Sequence, residues 1–471
     1  MERRLSQYRQ ILKEEPELFE ASELLFHKHT KSSFSAHPPK HHDLQANHDA
    51  ITVVAIYVMA PVMYRFVEWV LLNACKAGFK RLYFLARDGH SMYELARIIN
   101  DRLALHLELE YLYCSRYALR TAWYHLKLPE SLAYICLSGI EVTFETVMLR
   151  AGFDGEKAAW FADLLDFGHD YNTKALTLFE LGLLRERLEN CNEFVAQVVA
   201  NAQNNYPNIK GYLQQEGLYD DVPYAFVDSG WVGSMQKILT DLVNETAPMR
   251  HHPLSGYYFG LYDYPSGVDR QSYHTYYFAP NGGIRRKASF ANCLFECIFS
   301  SPEGMTIGYQ KDDTGRYIPI LANAKNANSD KIIRTSKLLS EYASDILIGE
   351  AVIRPKSAKT SQKLLSLFMG QPTGAEAEAF GSYIFCDDII GEKSQTVAAL
   401  LSSADIRNNR LTRRILSMRR GSPKIRESAW LSGSVVLGMN KPSLELKRVI
   451  RYRRILYFRK AISEAVGRKS F

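Results

Sequence analysis

Cysteine is scarce in this chain. Cys75, Cys114, Cys136, Cys191, Cys293, Cys297 and Cys386 are the only seven among 471 residues. None belongs to a CxxC, and no Cys/His combination has zinc-site spacing. A disulfide-stapled scaffold and a structural zinc module are excluded, and reduced thiols in a cytosolic protein are expected. Long apolar runs are also missing. The longest, Ile51–Tyr64, has 14 residues and gives way to Arg65 and Glu68, short of the roughly 20 that a membrane span needs. The opening MERRLSQYRQILKEE holds no apolar stretch of leader length. A soluble or peripheral chain is therefore expected. There is no internal repeat and no collagen-like glycine period.

What is present is ordinary for a large globular core: 46% apolar and 23% charged residues. Aromatics reach 12%, with 28 tyrosines, so many rings are expected at half-wet positions. The length suggests about three structural units. The net charge of +7 is unevenly spread. Residues 401–471 hold 18 basic against 4 acidic side chains, while the remaining 400 are mildly acidic. A partner-binding tail fits this better than a uniformly basic nucleic-acid protein.

Along the chain, residues 1–26 have helical spacing through Leu5, Tyr8, Ile11 and Leu12. Residues 27–50 contain His27, His29, His37, His41, His42 and His48 around Pro38-Pro39; they read as a solvated linker rather than a metal site. Pro61 suits the start of a buried helix running to Cys75. Arg81–Ala86 reads as a buried strand, followed by a helix over Met92–Leu103 capped by Ser91. Residues 107–114 alternate as a second strand. Residues 130–220 are helical in pattern and look inserted. Tyr224–Val227 reads as a third strand with a helix over Met235–Leu242, and further strands are expected at Gly256–Leu261 and His274–Phe278, with a turn at Gly282-Gly283. The rhythm is that of an α/β fold, a parallel sheet covered by helices. The divisions drawn are 1–50 (N-terminal helix and linker), 51–310 (α/β core with a helical insertion at about 130–220), 311–405 (mixed, with helices near 332–347 and 359–369) and 406–471 (basic helical tail).

In open parallel sheets, ligands bind at the carboxyl ends of strands. Three strands here end in polar residues: Arg87-Asp88-Gly89, Ser115-Arg116 and Asp228 to Ser234. Asp88 and Asp228 offer hard oxygen ligands for Mg²⁺. Arg87 and Arg116 suit phosphate oxygens. Gly230 and Gly233 let backbone N–H groups approach a phosphate at a helix N-terminus beginning near Ser234. Trp231 is expected beside the pocket. The alternative is that the acids cap helices and the glycines only make turns.

The strings GFKRLYFLARDGHSM, LEYLYCSRYALR, YAFVDSGWVGSMQKIL, GYYFGL and LFECIFSSPEGMTIGY resemble bacterial haloacid dehalogenase-like hydrolases found among surface-polysaccharide and glycosyltransferase genes. The likeness runs from about residue 55 to 310, and faintly through GQPTGAEAEAFGSYIFCDD. It implies a haloacid dehalogenase-like (Rossmannoid) α/β core, Mg²⁺, and a phosphorylated sugar or nucleotide-sugar as ligand. Asp88 and Asp228 take the catalytic and metal roles; Arg87, Ser115, Arg116, Gly230, Gly233 and Ser234 face the phosphate. Active phosphatases of that superfamily end a strand in DxDG, the first Asp attacking phosphorus and the second serving as acid/base. Aligned on Asp88-Gly89, this chain has Ala86 at the nucleophile position. A second alignment sets this strand on the later Ser/Thr motif and leaves no nucleophile strand. The familiar aspartyl-phosphate route lacks its nucleophile either way, and turnover stays open.

Two other classes stand beside a phosphohydrolase-like enzyme. One is a non-catalytic adaptor of a glycosyltransferase complex. The other is a glycosyltransferase, whose DxD has no convincing setting here, since Asp312-Asp313 and Asp387-Asp388 look like loop residues. Nucleic-acid binding is not expected, for want of aromatic-interleaved basic strands. Residues 446–462 form a basic amphipathic helix. Leu446, Val449, Ile450, Leu456, Tyr457 and Ala461 gather on one side; Lys447, Arg448, Arg451, Arg454 and Arg459 lie opposite, but Ile455 and Phe458 interrupt the basic face and Arg453 and Lys460 intrude on the apolar one, so the amphipathicity is imperfect. Such a helix suits an anionic membrane surface, which would hold the protein at the cytoplasmic face of the inner membrane, or a partner; the alternative is a solvated C-terminal helix packed on the body.

Overall fold

The computed structural model describes residues 1–35, 49–139, 142–247, 252–322, 325–346, 357–386, 394–410, 413 and 426–465. His37, His41, His42, His48, Asp387 and Asp388 lie outside them.

The fold is α/β. Five strands form one parallel sheet: β1 (Arg81–Leu85), β2 (Glu108–Leu112), β3 (Tyr224–Trp231), β4 (Ser255–Leu261) and β5 (Tyr273–Phe278), in the order β2-β1-β3-β4-β5. Burial explains their sequences. β4 is buried at every position and β1 at all but the first, so both read as continuous apolar runs, as strands covered on two faces do. β2 is an edge strand, and its ELEYL alternates.

Side chains leave alternate faces of each strand, and the two faces feed two cores. Leu82, Phe84, Ala225, Val227, Tyr257 and Phe259 meet the N-terminal helices and the long helix Ala50–Lys76. Tyr83, Leu85, Leu112, Tyr224 and Phe226 meet the helices that follow β2. Those helices, Arg116–Trp123, Leu128–Ile135, Phe144–Arg150, Gly155–Leu164, Leu178–Glu189 and Asn192–Gln215, sit between β2 and β3, as the pattern over 130–220 suggested. The first core runs from Leu5 to Trp430. It thus crosses the divisions drawn at 50 and 310.

Several expectations change. The N-terminal helix breaks at Pro16 into Glu2–Leu12 and Pro16–Ser35. Pro61 stands in the first turn of the helix Ala60–Lys76, as expected, but that helix follows directly on a π-helical turn at Ala55–Met59 and a short helix Ala50–Val54, so the continuous element is Ala50–Lys76. Proline supplies no N–H and crowds the preceding turn, and a π turn opens the backbone where that bond is lost. The apolar element is therefore longer than the run Ile51–Tyr64 suggested, and long and apolar enough to cross a membrane. Yet 89% of its most apolar window is buried inside the protein. Buried Arg65 ties it to the N-terminal segment through Glu15 and Glu17. Ser91 does not cap its helix: Gly89–Arg102 begins after Asp88, and Ser91 Oγ faces Ser336 Oγ at 3.0 Å. A hairpin, β6 (Thr306–Lys311) with β7 (Tyr317–Leu321), was not foreseen. Asp312 makes its turn, accepting the Thr314 and Arg316 N–H groups at 2.9 Å each.

Candidate functional site

The sheet order places β1 and β3 side by side, while the chain leaves β1 toward the β2 edge and returns on the other side at β3. This is the topological switch point, where the carboxyl ends of parallel strands open a crevice. Asp88 leaves β1 there. It stands at the N-cap of Gly89–Arg102, but its side chain makes no capping bond. Its Oδ2 instead accepts the hydroxyl of buried Ser229, a neighbour of Asp228 on β3.

A third acid joins from the helix Asn292–Phe299, where Glu296 Oε1 accepts the Trp231 indole N–H. Asp88, Asp228 and Glu296 all remain partly exposed while protein surrounds them, as at a crevice floor. Burial and mutual repulsion raise their proton affinity. Asp228 is pushed up to about 8, chiefly by desolvation and then by Asp88. Glu296 rises to about 7, again by desolvation and then by Asp88. Burial raises Asp88 too, against the Ser229 hydrogen bond and the pull of Arg87 and Arg116. Protons leave such a cluster in steps that belong to the group.

Arg87 and Arg116 are exposed and act on these acids through charge. Neither makes a contact ion pair among the described residues, so both guanidinium forks are available. Ser115 is differently placed from the expectation. Its hydroxyl donates to Thr306 O at 2.6 Å and accepts Ala118 N at 3.0 Å, which leaves it no proton for a phosphate; it caps Arg116–Trp123.

Asp228, Ser229, Gly230 and Trp231 belong to strand β3, not a loop, and Asp228, Gly230 and Trp231 pair with β4. Gly230 (φ +107°) is required because a Cβ there would sit 2.7 Å from Gly260 O. Gly233 (φ +69°) begins the helix Ser234–Thr246, with a Cβ site 2.7 Å from the Tyr273 ring. Both glycines are thus accounted for by close packing, and a β-branched residue at 233 would disturb the fold as well as any ligand. Ser234 is the first residue of that helix. Trp231 is held at φ +65°, unusual for a bulky residue, with its ring among Phe278, Phe290 and Phe295. Strain of this kind gathers at functional sites.

Glu296 was missed, although the string LFECIF contains the signal: one carboxylate inside an otherwise apolar helical stretch. His90 was also passed over; its Nδ1 is buried without a hydrogen-bond partner among the described residues, and burial keeps the ring toward neutrality.

Asp88 and Asp228 offer hard carboxylate oxygens, the donor type that Mg²⁺ takes. Two hard carboxylates that repel one another are relieved by a divalent cation, which keeps several waters and takes phosphate oxygens besides. Among the described residues no group of three His, Cys, Asp or Glu closes into a full metal-ligand set. No family model matches the chain, and no curated protein matches it.

Proposed function

We propose that this is a haloacid dehalogenase-like protein of surface-polysaccharide assembly that holds a phosphorylated sugar or nucleotide-sugar, with Mg²⁺, at the switch point. One observation supports the reading most: Asp88, Asp228 and Glu296, whose charges act on one another, gather where β1 and β3 end with Arg87 and Arg116, which have no ion-pair partner among the described residues. Asp88 and Asp228 are the residues to hold the metal, which screens phosphate charge when bound. Arg87 and Arg116 fork onto phosphate oxygens. Glu296, whose carboxyl burial pushes up to about 7, holds or delivers a proton at the ester oxygen. Ala86 offers no nucleophile, so any ester cleavage uses water and forms no phospho-enzyme. That same alanine favours a second reading, a binding adaptor whose fold keeps the site without the chemistry.

Calorimetric titration with sugar phosphates and nucleotide-sugars, with and without Mg²⁺, tests this beside an assay of phosphate release. Binding that needs Mg²⁺ and disappears in Asp88→Asn supports the site. Binding without phosphate release selects the adaptor. Absence of binding across both ligand classes removes the proposal.

A further inference from the structure

A cavity of about 760 Å³ lies away from the carboxylates, between the helices Glu2–Leu12 and Ser443–Ala465. Its lining includes Arg3, Arg4, Lys447, Arg451 and Arg454, and no acidic residue. The nearby acids are already engaged. Glu376 is taken by Arg4 at 3.3 Å and by the Tyr8 hydroxyl. Glu445 is held by Arg410 at 2.7 Å and Arg448 at 2.9 Å. Among the described residues, Arg3, Lys447, Arg451 and Arg454 have no ion-pair partner. Four free cations around one cleft make a standing demand for an anion.

The second observation is independent of charge. The helix Ser443–Ala465 docks on the body by one face. Leu446 and Val449 are buried with Ile406 and Val435. Tyr457 stacks on Tyr262 at 5.7 Å, and Lys460 pairs with Asp263 at 3.0 Å. The opposite face leaves Ile455, Phe458 and Ile462 exposed at 38, 57 and 48%. Ile455 and Phe458, which interrupt the basic face on the helical wheel, are thus the bulky apolar side chains offered to solvent. Arg451, Ile455, Phe458 and Ile462 follow i, i+4, i+7, i+11 and share one face, so the cationic cleft runs directly into the apolar strip.

We infer that cleft and strip together form a seat on an anionic lipid bilayer. The cleft takes a lipid phosphate headgroup; Phe458 and its neighbours enter the boundary between headgroups and acyl chains. Cations attract anionic headgroups, and large apolar side chains beside them gain by entering the acyl boundary. A free phosphate has no use for the strip, and a nucleic-acid backbone has none either. This surface is separate from the carboxylate crevice and stands whether or not that crevice binds sugar phosphates.

Co-sedimentation of the full chain with vesicles of phosphatidylcholine alone, and of phosphatidylcholine mixed with phosphatidylglycerol, tests the seat. Binding to the mixed vesicles only is expected. Each cation removed near the surface should weaken partitioning about fivefold, so the charge reversals Arg451→Glu and Arg454→Glu together should abolish it. Phe458→Ser with Ile462→Ser should weaken it at unchanged charge, with an unaltered thermal melt because both side chains are exposed. Equal sedimentation of parent and charge-reversed chains overturns the proposal. So does tight binding of inorganic pyrophosphate or duplex DNA with no binding to mixed vesicles.

Discussion

The carboxyl edge of the sheet and the cleft beside the C-terminal helix are both dense in charge, but they are built in opposite ways. At the sheet edge, Asp88, Asp228 and Glu296 are crowded by protein, so each alters its neighbours' protonation. At the cleft, Arg3, Lys447, Arg451 and Arg454 stand on exposed positions or at the rim of solvent. Charges of the first kind act as a unit and depend on pH. Charges of the second kind add nearly independently and depend on salt. The first site is bought with stability; the second costs the fold little. Substitutions at the two places should therefore behave differently.

The largest effect should come from Gly230→Val. The positive φ and the approach to Gly260 O leave no room for a side chain, so a loss above about 3 kcal/mol is expected. Chemical denaturation checks it, and a loss below about 1 kcal/mol would show that β3 and β4 can part there without harm.

Next is Asp228→Asn. An acid whose folded affinity for protons is raised keeps its proton where the unfolded chain has lost it. The parent should therefore lose stability as pH rises from the ordinary carboxylate range near 3.8 to about 8. Asparagine removes that slope, and the variant should be more stable than the parent at pH 8 by on the order of a few kcal/mol. Denaturation curves at pH 5 and pH 8 decide it; parallel pH dependence in the two proteins counts against a raised proton affinity at Asp228.

A smaller change is expected for Trp231→Phe. Loss of the indole donor removes a bond to the charged form of Glu296, worth about 1.5–3 kcal/mol in general. Glu296 should then titrate above its present value of about 7, as carboxyl carbon NMR would record. The smallest effect belongs to the cleft: Arg454→Gln should change folding stability by less than about 0.5 kcal/mol, even as it weakens vesicle binding. A large loss of stability would mean that the cleft cations hold the helix in place.

How far the sequence could be read follows the same division. Apolar runs announced β1, β3 and β4 because those strands are covered on both faces, and the polar residues after them marked the crevice. The last half of β3 stayed hidden, since Asp-Ser-Gly is poor strand composition and only pairing with Tyr258 and Gly260 extends it. Gly230 and Gly233 read as a phosphate loop because a glycine needed for close packing looks the same in sequence as one needed for a ligand. Glu296 enters the site from a helix after β5; LFECIF marks it as a carboxylate in an apolar stretch, but no local pattern tells which strand ends it joins. Arg3 and Arg454 lie near opposite ends of the chain, so nothing short of the folded core could bring them to one cleft.

The bond from Trp231 to Glu296 has an optical consequence. An indole whose N–H is held by a carboxyl group emits differently when that group is neutral and when it is ionised, so the crevice contains its own reporter of charge. The chain has five tryptophans, and subtracting the Trp231→Phe spectrum isolates this one. A fluorescence titration through neutral pH then follows proton loss from the acidic cluster in the free protein, before any substrate is known, and a ligand that brings positive charge to the crevice should move the midpoint downward.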